Sequence, residues 1–440
     1  MTCAKSLVDA GHEVSIHEGM PFLGGRASTF RDADGDWVEQ GLHLFLGTYS
    51  EFKTLLVEIG QPPDEILDWM TEVRIEDPEG PTAVYGTNPF SAPIKTLLSV
   101  LGQNRFLGPI DKLSIASLSA GGLRSMDSMR QEFDHKTITQ LWAELKGTED
   151  VLERVVRPFC RAIQFTDAEQ FSAFNFLGWL HHVAYDLPHS LAGGYRGARE
   201  EVVFQPLARY LRDRHATIQT GSRLREILYS PEENRLQGLI METGERVEAD
   251  AYVVAIPAWA FASLIPGPLR KIPFFRQIVE LPVAPAIAVQ LWFDRRVTDS
   301  EAFTLVARTV VPVYQDQSAS TYPFARGSRI SANLSPADEY LAWPDADLVK
   351  LTIDSLASVH PEARDAQLLK SVVLKHPQHL VRPLPGAMSA RPLQITPVAN
   401  LFLAGDWTQQ DYFGSQEGAV RSGRACAREI LESPTLAHAP

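Results

Sequence analysis

The residues best suited to chemistry sit near the two ends of the chain. Glu18 closes a short alternating run, Glu13-Val14-Ser15-Ile16-His17-Glu18, and a carboxylate at the end of such a strand suits the ribose hydroxyls of an adenosine. Gly24, Gly25 and Arg26 follow. Glycines let a diphosphate approach the backbone, and a guanidinium pairs with its oxygens. At the other end, Gly405 and Asp406 break an apolar run, Leu401-Phe402-Leu403. Glu417-Gly418-Ala419 then opens a helix. Its small residues Gly418, Ala419, Ser422 and Ala425 permit close approach, so the helix start suits an anion or a carbonyl oxygen.

Positioning these groups takes a set order of elements. Residues 2–10 carry Cys3, Ala4, Leu7 and Val8 on one helical face, and Gly11 is a left-handed stop. Helix, glycine, strand and glutamate make the second half of a dinucleotide-binding βαβ unit. Its first half, a strand and a G-x-G-x-x-G loop of roughly 10–15 residues, is expected just upstream, with Met1 an internal methionine. A chain without that piece is expected to bind its dinucleotide weakly.

These stretches together resemble the FAD-dependent amine oxidase and carotenoid desaturase superfamily. Within it, the run from Trp37 through Gly41, Leu42 and His43 to Tyr49 is similar to plant-type phytoene and ζ-carotene desaturases. So is the run from Gly405 through Tyr412 and Ser415 to Val420. The resemblance implies an α/β fold, with a Rossmann-like FAD-binding domain interleaved with an α+β substrate domain. It implies that Glu18 holds the adenosine ribose, that Gly24, Gly25 and Arg26 line the diphosphate, and that Gly405-Asp406 meets the ribityl or diphosphate part. Gly41 and His43 would lie near the isoalloxazine, the backbone at Glu417, Gly418 and Ala419 would face the flavin pyrimidine, and Leu224 would touch adenine.

The implied division is 1–75, 201–265 and 395–432 for FAD, 76–200 for a helical substrate or membrane-facing region, 266–394 for a substrate domain with a mixed sheet, and a tail at 433–440. The middle reads as a helix over Val202–Leu211, strands at Thr217–Gly221 and from Leu224, a hairpin over Arg235–Val247, a strand at Asp250–Pro257 and a long strand over Leu281–Phe293. Residues 85–126 are apolar, with Lys95, Arg105, Lys112 and Arg124 against Asp111, a pattern that suits a bilayer interface or a lid over an apolar cavity. Aromatic residues crowd 159–195 and serve as core or as a tunnel lining. The adjacent histidines His181 and His182 point to different helix faces and predict no metal site.

Composition narrows the function classes. With 41 Lys and Arg against 54 Asp and Glu, the net charge of −13 argues against general nucleic-acid binding. Three scattered cysteines give no metal spacing and no disulfide framework. The proline-broken run 251–269 is not a membrane span. The expectation is a cytoplasmic protein, peripheral at a membrane, that takes a hydride from a hydrophobic isoprenoid such as phytoene and passes electrons to a quinone or oxygen. The flavin carries that chemistry, so no dedicated base is demanded. The alternatives are a hydroxysqualene dehydroxylase-like flavoenzyme, an amine oxidase and a non-enzymatic lipid-binding relic lacking FAD.

Overall fold

The computed structural model describes residues 1–70, 72–86, 104–186, 189 and 191–433. Lys95, Leu97, Leu98, Val100 and Leu101, in the stretch expected at a bilayer interface or as a lid, lie outside these.

The terminal segments meet. The helix Thr2–Asp9 packs on the last helix, Gln416–Leu431, where a Cβ on Gly423 would stand 2.9 Å from that of Thr2. Only glycine permits this approach. Gly11 ends the first helix at φ 87°, as its sequence position predicts. The strand Ser15–Glu18 pairs in parallel with Thr217–Thr220, and Tyr252–Val254 pairs in parallel with Leu401–Leu403. Among the described residues these are two separate two-stranded sheets. Val254, Leu401 and Leu403 are buried, as a parallel strand covered on its faces requires. Leu224–Ser230, Arg235–Met241 and Arg246–Val247 form an antiparallel three-stranded sheet.

A seven-stranded sheet provides the other large layer. Its order is 368–381, 283–293, 329–334, 313–316, 304–306, 72–76 and 83–86. The long strand Val283–Phe293 is buried almost throughout, which explains an apolar run that only Gln290 interrupts. Strands Glu72–Glu76 and Ala83–Gly86 join this sheet because Thr304–Val306 pairs in parallel with Arg74–Glu76. The chain on both sides of residue 76 therefore serves one sheet. Within the interval expected to be helical, Ala192–Tyr195 is also a strand, held between Phe45–Leu46 and Leu67–Met70.

Most of the described remainder of that interval is helical: Pro109–Gly122, Met126–Phe133, Ile138–Glu144, Arg157–Gln164 and Ala173–Tyr185. These helices enclose an aromatic core that includes Phe106, Phe133, Trp142, Phe171 and Phe174. The helix expected from Val202 begins as a wide π turn over Glu200–Phe204 and becomes α-helical at Gln205–Arg212. Pro206 supplies the reason, since it has no amide to return to the carbonyl four residues back.

Candidate functional site

Arg26 joins the two ends of the chain. It lies on a short 3-10 turn, Gly25–Ala27, which Gly24 enters at φ 102° and Gly25 begins at φ 55°. The two glycines do different jobs. A Cβ at Gly24 would stand 2.3 Å from the Phe204 ring, whereas one at Gly25 would meet nothing within 4 Å. Gly24 is needed for packing, and Gly25 leaves open space beside the backbone. From this turn the Arg26 guanidinium donates to the His379 carbonyl at 2.8 Å and pairs with the Asp406 carboxylate.

Gly405 and Asp406 lie just past the buried strand Leu401–Leu403. Gly405 sits at φ 131°, its amide donating to Ser422 Oγ at 2.9 Å. The Asp406 carbonyl accepts from Arg391 and from Gln410 Nε2. Burial pulls the Arg391 guanidinium down to about 10, although the Asp406 carboxylate opposes the shift.

Glu18 ends its strand half-buried. One carboxylate oxygen accepts the Met20 amide at 2.8 Å, and the Glu18 carbonyl accepts from the Ser222 amide. The strand end thus lies beside the turn that leads into Leu224. The Leu224 side chain packs against the core containing Ile227, Leu236 and Tyr252, and it opens the strand opposite Met241.

Gly41 and His43 belong to a second cluster that sequence reasoning saw only in part. His43 Nδ1 lies 2.8 Å from the Gly41 carbonyl and donates to it, which leaves Nε2 as an acceptor. The same carbonyl accepts from Arg199 at 3.3 Å. Arg199 is 1% exposed and also binds the Ala27 carbonyl at 2.7 Å and Glu39 Oε1 at 2.8 Å. One buried guanidinium therefore fixes the turn that carries Arg26 against the segment that carries His43. Glu39 in turn accepts from Gln317, Tyr322 and Ser331, which ties both segments to the seven-stranded sheet and the loop after Val313–Asp316.

His376 and His379 complete this cluster. The register between Val283–Phe293 and Leu368–Val381 slips between Ala284, opposite Leu380, and Ala286, opposite His376. The bulge at Pro377–His379 brings the two imidazoles to a centroid separation of 5.2 Å. Burial, reinforced by the positive charge of Arg199, holds His43 down at about 3. Burial lowers His376, and burial with Arg26 lowers His379 further. All three are neutral near pH 7. The signal for the missed pair was Pro377 inside a strand pattern, which marks an edge or a bulge. Arg199 and Arg391 had no comparable signal, because nothing local to either residue shows that the fold buries it.

At the start of the last helix two of the backbone amides already have partners within the chain. The Gly418 amide donates to Ser415 Oγ at 3.0 Å, and the Ala419 amide to the Ser415 carbonyl. Neither is open to a ligand. A Cβ at Gly418 would stand 2.0 Å from the Tyr412 carbonyl, so this glycine lets the preceding loop fold over the helix. Glu417 is wholly buried and accepts from the amides of Glu51 and Phe52, at 3.1 and 2.8 Å, and from Arg421. Its carboxylate caps the helix Ser50–Glu58.

The open space at Gly25, together with two buried polar atoms that lack partners, Ser28 Oγ and His379 Nδ1, suits a ligand rich in hydrogen-bonding atoms. A dinucleotide with a diphosphate meets that description. A separate cavity of about 660 Å³, lined by Lys53, Trp69, His189 and Leu191 among others, contains none of these groups.

Residues 1–431 match the family described as flavin containing amine oxidoreductase. The 15-cis-phytoene desaturase of Synechococcus elongatus is 29% identical, the match covering 98% of this chain and 93% of that protein. The probable zeta-carotene desaturase of the same organism is 30% identical over 99% of this chain and 97% of its own. The chloroplastic/chromoplastic 15-cis-phytoene desaturase of Solanum lycopersicum is 28% identical over 99% and 76%. Among solved structures, an oxidoreductase from Methanosarcina mazei superposes with TM-score 0.74 at 16% identity, covering 98% of this chain and 97% of that one. Putrescine oxidase bound to putrescine does so with TM-score 0.67 at 18% identity, covering 98% and 96%. These two likenesses concern the fold.

Proposed function

The chain belongs to the flavin containing amine oxidoreductase family, and from that premise we propose that it is an FAD-dependent desaturase of a long isoprenoid hydrocarbon such as phytoene or ζ-carotene. The observation that carries this reading is the pairing of Arg26 with Asp406 in a chain that matches such desaturases over nearly its whole length.

In this reading Glu18 holds the adenosine ribose. Gly24, Gly25 and Arg26, with Gly405 and Asp406, hold the diphosphate and ribityl part. Gly41 and His43 face the ring. Leu224 stays an adenine contact through its backbone. Bound FAD supplies a two-electron oxidation at an allylic C–H.

The protein's own residues orient the chain and keep water and charge away. The aromatic core around Phe171 and Phe174 is wholly buried and excludes water from the helical region. His43, His376 and His379 remain uncharged and place no fixed cation against a hydrocarbon. Arg199, buried and compensated by Glu39, holds the Arg26 and His43 segments in register. Electrons leave to a quinone or to oxygen.

A hydrocarbon of this kind resides in bilayers, so the reading includes a peripheral membrane contact at the cytoplasmic face. Ile110 and Leu113 on the helix Pro109–Gly122 are 73% and 69% exposed, and Leu123 and Tyr185 are exposed close by, with Tyr185 donating to the Leu123 carbonyl. No helix among the described residues is long and apolar enough to cross a membrane. The three cysteines are free and buried.

The test is incubation of the FAD-loaded protein with phytoene or ζ-carotene in vesicles, followed by mass analysis of the hydrocarbon. Loss of two hydrogens per new double bond supports the proposal. Unchanged hydrocarbons, with turnover of an amine or of hydroxysqualene, overturn it.

A further inference from the structure

Arg329 is 4% exposed, yet among the described residues no carboxylate lies within 4 Å of its guanidinium. Its one hydrogen bond runs from Nη2 to the Trp37 carbonyl, and its Nε is buried without a partner. The guanidinium stacks instead on aromatic rings, 3.7 Å from the Tyr322 centroid and 4.9 Å from that of Trp292. Burial lowers its affinity for the proton. An unpaired buried cation is costly, and stacking on rings offsets only part of that cost.

Arg329 also lines a cavity of about 320 Å³. Trp37, Trp292 and Tyr322 line it too, together with Asp36 and Glu201. Both carboxylates have direct partners of their own: Asp36 shares the Lys370 ammonium with Asp32 and Asp34, at 2.6 Å from it, and Glu201 lies 3.6 Å from Arg31. Glu39, Asp36 and Asp32 act on Arg329 only through space, so the cavity presents a guanidinium with no carboxylate in direct contact, set beside aromatic rings.

We propose that this cavity is a binding site for a small aromatic or conjugated carboxylate, its anionic group paired with Arg329 and its flat part against Trp37, Trp292 and Tyr322. The size suits one ring with a carboxyl group rather than a nucleotide. A guanidinium receives a carboxylate in two parallel hydrogen bonds, which gives Arg329 the direct ion pair it lacks. The site is separate from the Arg26–Asp406 contact and does not depend on the desaturase reading. It is connected to the proposed flavin site through one side chain, because Tyr322 donates to Glu39 at 3.1 Å and Glu39 pairs with Arg199.

Benzoate is the probe, with benzamide as its uncharged shape control. Benzoate is expected to quench tryptophan fluorescence saturably and to raise the melting temperature, as any ligand of the native state does. Benzamide is expected to do neither at the same concentrations. Arg329→Met should weaken benzoate roughly 10- to 100-fold, the worth of a charge-assisted hydrogen bond. Arg329→Lys, which keeps the charge without the fork, should fall between the two. If Arg329→Met does not fold, the benzoate–benzamide contrast in the native protein and the Arg329→Lys series decide the matter. Equal effects of benzoate and benzamide, no saturation, or undiminished binding in the Arg329 variants would overturn the proposal.

Discussion

The guanidinium of Arg26 pairs with the carboxylate of Asp406, 380 residues further along the chain. Two stretches of the kind expected to hold a dinucleotide thus form one place. Asp406 is almost buried and Arg26 partly so, and the Asp406 carbonyl is held by Arg391. Replacing Asp406 with Ala leaves Arg26 without its carboxylate partner, while Arg391 keeps the backbone carbonyl. FAD affinity should drop roughly 10- to 100-fold, measured by titrating the apoprotein with FAD and following flavin fluorescence. Unchanged affinity would remove Asp406 from the cofactor site.

Glu417 makes the opposite prediction. Its carboxylate caps the helix Ser50–Glu58 and pairs with Arg421. Glu417→Ala should destabilise the fold by about 2–4 kcal/mol, as buried amides and a guanidinium lose their acceptor. Urea denaturation measures this. The flavin content of the protein that remains folded should not change.

The three neutral histidines predict a dependence of stability on pH. His43, His376 and His379 have folded pKa values below the unfolded value near 6.5. At pH 7 the folded state leaves them neutral and the unfolded state protonates only about a quarter of them. As the pH falls below about 6.5 the unfolded chain takes up protons that the folded one refuses. Stability is therefore lost on acidification, by at most about 1.4 kcal/mol per pH unit for each group. Denaturation midpoints at pH 7.5, 6.5 and 5.5 give the slope, and His379→Gln should flatten it.

The exposed apolar face predicts membrane behaviour. Ile110→Glu with Leu113→Glu adds two charges where the bilayer is proposed to sit, on side chains that are mostly exposed. Vesicle co-sedimentation should fall about tenfold or more, with the melting temperature unchanged. Equal sedimentation of the double variant and the native protein would move the contact elsewhere.

Much of this was legible in the sequence because the signals are local. Gly11, Glu18 and the run Leu401–Leu403 each announce their element through neighbours a few residues away. Residues whose role is set by distant partners were not legible. Arg199 reads as one arginine among many until the fold places it between Ala27, Glu39 and Gly41. His376 and His379 meet only because two strands slip register. At Glu417 and Gly418 the residue types suited both a ligand site and a tight helix entry. The fold uses the Glu417 carboxylate and the Gly418 amide within the chain, a role that no local signal distinguishes from ligand binding.

The central claim is that this chain oxidises an isoprenoid hydrocarbon through bound FAD. Its most direct test is anaerobic titration of the FAD-loaded protein with phytoene, with ζ-carotene and with putrescine, following the visible flavin absorption. The account predicts that a hydrocarbon bleaches the flavin stoichiometrically and leaves as a product with more conjugated double bonds, while putrescine has no effect. Bleaching by putrescine, with neither hydrocarbon reducing the flavin, would contradict it.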